Sequence, residues 1–419
     1  MIGRIQGTES GLFVKLVPMR GRIEHSKEHK RPRAKDVACV CCRRFLSPLS
    51  SKVESRNLTT ERILVEAKFS QSLNLARREV GSGHPVYIVA ELSANHNQDF
   101  DQAVRILHAA KDAGADAVKL QTYTADTITL RSDKECFRVG GGTLWDGRLL
   151  HDLYQEAFTP WEWQPKLKTI ANELGMQLFS SAFDDSAVDF LEEMNVPAHK
   201  VASFELVDIG LIQKMARTGK PLIMSTGMAS EDEIAEALQA ARGAGATEIA
   251  LLKCTSAYPA PPEEANLLTL PELSRRFGCP VGLSDHTMGI AVPVVAVALG
   301  ACIIEKHLCL RRADGGPDGA FSLEPEEFKA MVQAVRLAEK ALGSVQFASG
   351  PREANSRKFR RSLFAVEDIK RGELFSRQNI RSIRPADGLH PRHLGEILGK
   401  RAACDIERGT PLSWSLVAR

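Results

Sequence analysis

No apolar run in this 419-residue chain approaches the roughly 20 residues that a bilayer-spanning helix needs, so nothing in it reads as an integral membrane helix. A dominant charge is missing too. The 55 Lys and Arg stand against 52 Asp and Glu, and a net of +3 gives no general footing for nucleic acid or a membrane surface. A small disulfide framework is also absent. The nine Cys include adjacent Cys41 and Cys42, while Cys254, Cys279, Cys302 and Cys309 fall in or beside core-like runs. That usage points to a reducing, cytoplasmic compartment. No uninterrupted apolar core of a signal peptide stands near the start. The cluster Cys39-Val40-Cys41-Cys42 has no second Cys or His pair at finger spacing, which argues against a zinc module.

What is present is a hydrophobic content of 43%, enough for a sizeable core, in a chain long enough for one large and one small domain. Residues 1–60 carry 13 Lys and Arg against 5 Asp and Glu, whereas the rest of the chain is net acidic. Residues 1–72 therefore read as a basic extension, disordered or mis-started. Glu9, Glu24 and Glu28 weigh against a transit peptide.

From about residue 84 the pattern changes, as short β-branched runs begin to alternate with longer helical stretches. The runs cover 86–92, 117–123, 177–183, 200–206, 221–228, 248–256, 281–286 and 302–308. Helical spacing covers 103–113, 161–174, 186–194, 209–218, 230–244, 267–277, 288–299 and 325–341. Eight such units fit an α/β fold of the (β/α)8 TIM-barrel kind over residues 73–344, with the active site at the C-terminal ends of the strands. A doubly wound sheet is the rival, but it would not place polar residues at the ends of all eight strands. Residues 345–357 read as a polar linker. Residues 358–419, punctuated by Gly372, Pro385, Gly388, Pro391 and Gly409, read as a small domain of irregular and β structure. About sixty residues hold only a marginal core alone, so this unit is expected to dock, and a partner subunit's barrel mouth is the candidate surface.

Each expected strand end offers a polar group. The first gives Glu91, the second Lys119 and Gln121, the third Ser181 and Asp184. The fourth gives Lys200, Ser203 and Glu205, the fifth Ser225 and Thr226, the sixth Thr255, Ser256 and Tyr258. The last two give Ser284, His286 and His307, followed by a loop with Asp318. Singly, each has a plain reading. A strand-end Lys is often an ion-paired surface residue, and Glu91 could cap the next helix. Repetition at equivalent places in the βα cycle favours function. Two imidazoles one βα unit apart can hold a divalent metal, which would act as a Lewis acid or activate water. Two lysines among hydroxyls suit a phosphate and carboxylate receptor. Together they favour a small anionic phosphate ester reacting with an aldehyde or ketone. A metal-dependent aldolase on pyruvate, or a binding module on a degenerate barrel, are the other readings.

At Ala90-Glu91-Leu92-Ser93-Ala94-Asn95-His96-Asn97, Lys119-Leu120-Gln121-Thr122-Tyr123, Lys200-Val201-Ala202-Ser203, Ser225-Thr226-Gly227-Met228, Ser284-Asp285-His286 and Glu305-Lys306-His307 the chain resembles the sialic acid synthase family. That resemblance implies a TIM barrel followed by an antifreeze-like (SAF) β-clip domain, and condensation of phosphoenolpyruvate with an acylamino aldose. Ser203-Phe204-Glu205, residues 316–323 and Arg381-Ser382-Ile383-Arg384-Pro385 are similar to the branch that makes pseudaminate. So is Ser93-Ala94-Asn95-His96-Asn97-Gln98, where the neuraminate branch has Gly-Ile-Asn-His-Asn-Gly. The implied acceptor is 2,4-diacetamido-2,4,6-trideoxy-L-altrose, with N-acetylmannosamine as the alternative. By the same resemblance His286 and His307 would bind the metal, manganese with magnesium or cobalt as alternatives, and Glu91 would be the acid/base. Lys119, Ser181, Lys200, Ser203, Ser225 and Ser284 would line the phosphoenolpyruvate site, and Gln121, Tyr258 and Asp318 would face the sugar. Arg384 would reach the site of the other subunit in a domain-swapped homodimer. Ser256 departs from the Asn common in the neuraminate branch.

Overall fold

The computed structural model describes residues 71–347 and 350–418. The basic extension lies outside the described residues except for its last two. The chain opens with an antiparallel hairpin, β1 (Ser72–Leu75) and β2 (Arg78–Gly81), which the sequence reading did not foresee. Leu73, Leu75 and Val80 of the hairpin are fully buried in the main core. Gln71 Nε2 donates to Gly278 O, and the Asn74 amide donates to Glu248 Oε1. Both acceptors precede a barrel strand, so the hairpin covers the end where the strands begin.

Eight parallel strands close on themselves: β3 (Tyr87–Glu91), β4 (Ala117–Thr122), β5 (Gln177–Ala182), β6 (His199–Val201), β7 (Leu222–Ser225), β8 (Ile249–Cys254), β9 (Val281–Asp285) and β10 (Ile303–His307). β10 pairs back onto β3 with His307 opposite Glu91. The fold is thus the (β/α)8 barrel. Both faces of every strand are covered, which is why these segments read as near-continuous apolar runs. Inside, space is tight. A Cβ on Gly282 would stand 2.6 Å from both Ile303 O and Leu252 Cδ2.

The outer helices are α1 (Phe100–Ala113), α2 (Ala125–Ile128), α3 (Leu150–Ala157), α4 (Gln164–Glu173), α5 (Asp185–Glu193), α6 (Ile209–Arg217), α7 (Glu231–Gly243), α8 (Thr269–Phe277), α9 (Ala291–Ala298) and α10 (Pro325–Leu342). α1 shows how local sequence sets one. The Asp99 carboxylate accepts from the amides of Asp101 and Gln102, satisfying two otherwise orphaned donors. Ala103, Ile106, Leu107 and Ala110 repeat at helical spacing and bury one face. Gly114 then ends the helix in the left-handed region at φ 91°.

Two local readings need correction. The fourth run is strand only to Val201, and Phe204–Val207 form a 3-10 turn. Between β4 and α4 the chain makes an excursion of more than thirty residues that includes α2 and α3, where no helix was expected. The C-terminal segment carries β11 (Ser362–Ala365) and β12 (Ile380–Ile383), an antiparallel pair. It has its own core of Leu363, Ile369, Phe375, Ile380, Ile397 and Leu412, knitted by isolated bridges such as Ile369 to Ile406.

Candidate functional site

Alternation along the strands brings Glu91, Lys119, Gln121, Ser181, Ser284, Glu305 and His307 to the inside of the barrel near its C-terminal rim. Lys119 sits at the centre. Its Nζ is 2.7 Å from Glu91 Oε2, 3.1 Å from Glu305 Oε1 and 3.4 Å from Ser181 Oγ. Ser284 Oγ donates to Glu305 Oε1 at 2.9 Å. One lysine between two buried carboxylates makes them unequal. Burial pushes Glu91 up to about 7 against the pull of Lys119. Burial also opposes ionisation of Glu305, but Lys119 and Lys200 override it and hold that carboxyl down at about 2. The protein therefore keeps one firm carboxylate and one group that can carry a proton near neutral pH.

Lys200 is different. It is 1% exposed and its Nζ donates only to Val201 O at 2.8 Å and Ser225 Oγ at 2.6 Å, with no carboxylate partner among the described residues. Burial lowers its pKa to about 8. A buried ammonium with no carboxylate at ion-pair distance favours an incoming anion. Beside it the Gly227 amide donates to Ser203 Oγ at 3.2 Å. Gly227 has to be glycine, because a Cβ there would lie 2.4 Å from Ser256 Oγ and 2.8 Å from Ser203 Oγ.

His286 and His307 face each other with ring centroids 5.3 Å apart. His286 Nδ1 lies 2.9 Å from Thr255 O, which fixes that nitrogen as the donor and leaves Nε2 free to ligate. His307 Nδ1 is buried without any partner, and burial holds this imidazole well below its usual pKa, hence neutral. Two facing imidazoles, one of them neutral with an orphaned nitrogen, fit a divalent metal. Among the described residues no set of three or more His, Cys, Asp or Glu converges as a full metal cage. Tyr258, Phe321 and Trp145 wall this side, with the Tyr258 ring 4.4 Å from His286 and 5.1 Å from Phe321.

The remaining expected residues also meet. Gln121 Nε2 donates to Ser93 Oγ at 2.8 Å and lies 3.3 Å from Glu91 Oε1. Ser93 Oγ donates to Asp318 Oδ2, which also accepts from the Ala94 amide at 3.2 Å. The loop carrying Asp318 packs tightly on the loop after β3, since a Cβ on Gly316 would fall 2.2 Å from Asn97 Oδ1. Arg384 is the exception. It is exposed at the end of β12, and among the described residues no bond or ring contact joins it to these groups.

Sequence reading passed over Glu305, although it stands two residues before His307 and so shares its inward face. It also passed over Ser93, Trp145 and Phe321, whose roles depend on loops. Glu205 was noted at its strand end but given no role. Its Oε2 is buried without a partner, and burial lifts its pKa to about 7.

A sequence model of the NeuB family matches residues 106–347, and one of the SAF domain matches residues 360–418. A pseudaminic acid synthase of Helicobacter pylori is 47% identical over 330 residues, covering 78% of this chain and 97% of that protein. An N,N'-diacetyllegionaminic acid synthase of Legionella pneumophila is 35% identical, covering 80% of this chain and 95% of that protein. Among solved structures, N-acetylneuraminic acid (sialic acid) synthetase from Leptospira borgpetersenii superposes with a TM-score of 0.61 at 30% identity, over 70% of this chain and 96% of that one.

Proposed function

The chain belongs to the NeuB family, and from that premise we propose that it is a phosphoenolpyruvate-dependent nonulosonic acid synthase that takes 2,4-diacetamido-2,4,6-trideoxy-L-altrose and forms pseudaminate. The observation that carries the phosphoenolpyruvate site is Lys200, a buried ammonium bonded to the Ser225 hydroxyl and, among the described residues, with no carboxylate at ion-pair distance. The similarity to pseudaminic acid synthases supports the choice of sugar.

In this reading Lys200, Ser225, Ser203 and the Gly227 amide hold the phosphate and carboxylate, and Lys119 offsets charge nearer Glu91 and Glu305. His286 and His307 would hold the divalent metal, manganese in the first instance. When bound it supplies Lewis acidity to the aldehyde oxygen of the open-chain sugar. The methylene carbon of phosphoenolpyruvate attacks the aldehyde carbon: a C–C bond forms, the C=O π pair moves to the aldehyde oxygen, which takes up a solvent proton to become the new hydroxyl, and positive charge grows at the phosphate-bearing carbon. Water adds to that carbon. Glu91, with its pKa near 7, takes the proton released there. Breaking the C–O bond then expels phosphate and leaves the 2-keto acid. Gln121, Tyr258 and Asp318 face the sugar. Arg384, exposed on its own domain, is assigned to the site of a second copy in a domain-swapped homodimer.

The test is phosphate release from phosphoenolpyruvate with Mn²⁺, comparing the trideoxy-altrose with N-acetylmannosamine. Turnover on the first sugar is expected. Turnover only on the second would keep the chemistry and replace the acceptor. Release with neither would overturn the reading.

A further inference from the structure

Ser93 stands in the left-handed backbone region at φ 46°, where a side chain is strained and glycine is the usual occupant. It is also 2% exposed, so no demand of the surface explains a polar residue there. Strain of this kind persists only where the surroundings hold it, and it gathers at sites where the side chain is needed. The side chain here makes two bonds. Its hydroxyl donates to Asp318 Oδ2 and accepts from Gln121 Nε2 at 2.8 Å. A hydroxyl has one proton and two lone pairs, so the two bonds fix each other's direction. The Gln121 amide must present its nitrogen to Ser93, which turns its carbonyl oxygen elsewhere. Asp318 Oδ2 takes both Ser93 and the Ala94 amide, and among the described residues no bond is made by Oδ1.

We propose that Ser93 is a positioning residue for the acceptor sugar: its hydroxyl bridges the strand carrying Gln121 and the loop carrying Asp318, and so sets which donor and which acceptor the two side chains offer to the sugar's amide and hydroxyl groups. The inference rests on the proposed function. The bridge also explains why the loop after β10 is anchored twice against the turn after β3. Asn95 Nδ2 donates to Ser322 Oγ at 2.9 Å, and Ser322 Oγ donates to Asp318 O at 2.7 Å, but that chain of bonds ends on the Asp318 backbone carbonyl. Ser93 is the side chain that bonds the carboxylate itself, beside the Ala94 amide.

Two substitutions separate the hydroxyl from the backbone. Ser93→Gly removes the hydroxyl and relieves the positive φ, and Ser93→Ala removes the hydroxyl and keeps the strain. The full chain is assayed with Mn²⁺ for kcat and for KM of both substrates, alongside thermal melts. Both variants are expected to lose ~10-fold or more in kcat/KM for the acylamino aldose, the scale of losing a bond to a charged group. KM for phosphoenolpyruvate should stay within about twofold, because the bonds of Lys200 and Ser225 are untouched. Ser93→Gly should melt no lower than Ser93→Ala while being as poor an enzyme. Normal sugar kinetics in Ser93→Gly would overturn the proposal, as would a rise in KM for phosphoenolpyruvate in step with that for the sugar. If the unmodified chain condensed neither aldose, the proposed function would fall and this inference with it. A working parent with an unaffected Ser93→Gly would remove only the role of Ser93.

Discussion

Lys306 and Asp285 form an ion pair from which water is excluded, with side chains 0% and 1% exposed. The same ammonium donates to Thr287 O, and Asp285 Oδ1 accepts from the Thr287 amide at 3.0 Å and its hydroxyl at 2.8 Å. The turn that carries His286 is therefore clamped from outside the barrel by the strand that carries His307. Lys306→Met would leave Asp285 buried and unpaired, a loss of about 3–5 kcal/mol. A second change, Asp285→Asn, should recover part of the melting temperature without restoring Mn²⁺ affinity. A single Lys306→Met variant that melts like the parent would refute the clamp.

His286→Ala and His307→Ala should each keep the circular dichroism spectrum and melt cooperatively, because both rings face the cavity rather than the helix layer. Manganese binding, read by electron paramagnetic resonance, should weaken severely in both. Chelation of the unmodified enzyme should abolish phosphate release, and added Mn²⁺ should restore it. Tight Mn²⁺ binding by either variant would move the metal elsewhere.

Lys200 gives a pH dependence with a definite sign. Burial lowers its pKa to about 8, so the cation is present below pH 8 and is lost as pH rises through it. Phosphoenolpyruvate affinity should fall over that window, and isothermal titration at pH 7 and 9 would show it. Lys200→Ala should weaken affinity ~10- to 100-fold and flatten the pH profile. An unchanged slope in the variant would point to another group.

Glu205 gives the opposite kind of effect, on stability. Its folded pKa of about 7 lies above the unfolded value, so the folded state loses stability as pH rises from about 4.5 through 7. Glu205→Gln should raise the melting temperature at pH 8 and change little at pH 4. Equal melting shifts at both values would show that ionisation is not the cause.

The barrel was legible because parallel strands covered on both faces leave uninterrupted apolar runs, each ending in a polar residue. His286, His307, Lys119 and Lys200 stood out on that ground. Glu305 was recoverable by counting two residues back from His307, but its motif drew attention to the histidine. The turn at Phe204–Val207 was hidden because a short 3-10 segment shares the composition of a strand end. The hairpin Ser72–Leu75 with Arg78–Gly81 is too short for periodicity to reveal, and its place is set by contacts with residues far along the chain. Ser93 stands where the neuraminate branch has Gly, a mark of positive φ that is easily read as a mere branch difference, because serine itself does not signal that backbone.

The hairpin over the strand starts has a kinetic meaning. With that end covered, reactants and products share one doorway. On the proposed function, phosphate and the new keto acid leave by the same rim at which the next substrates arrive, so accumulated product should slow the following turnover.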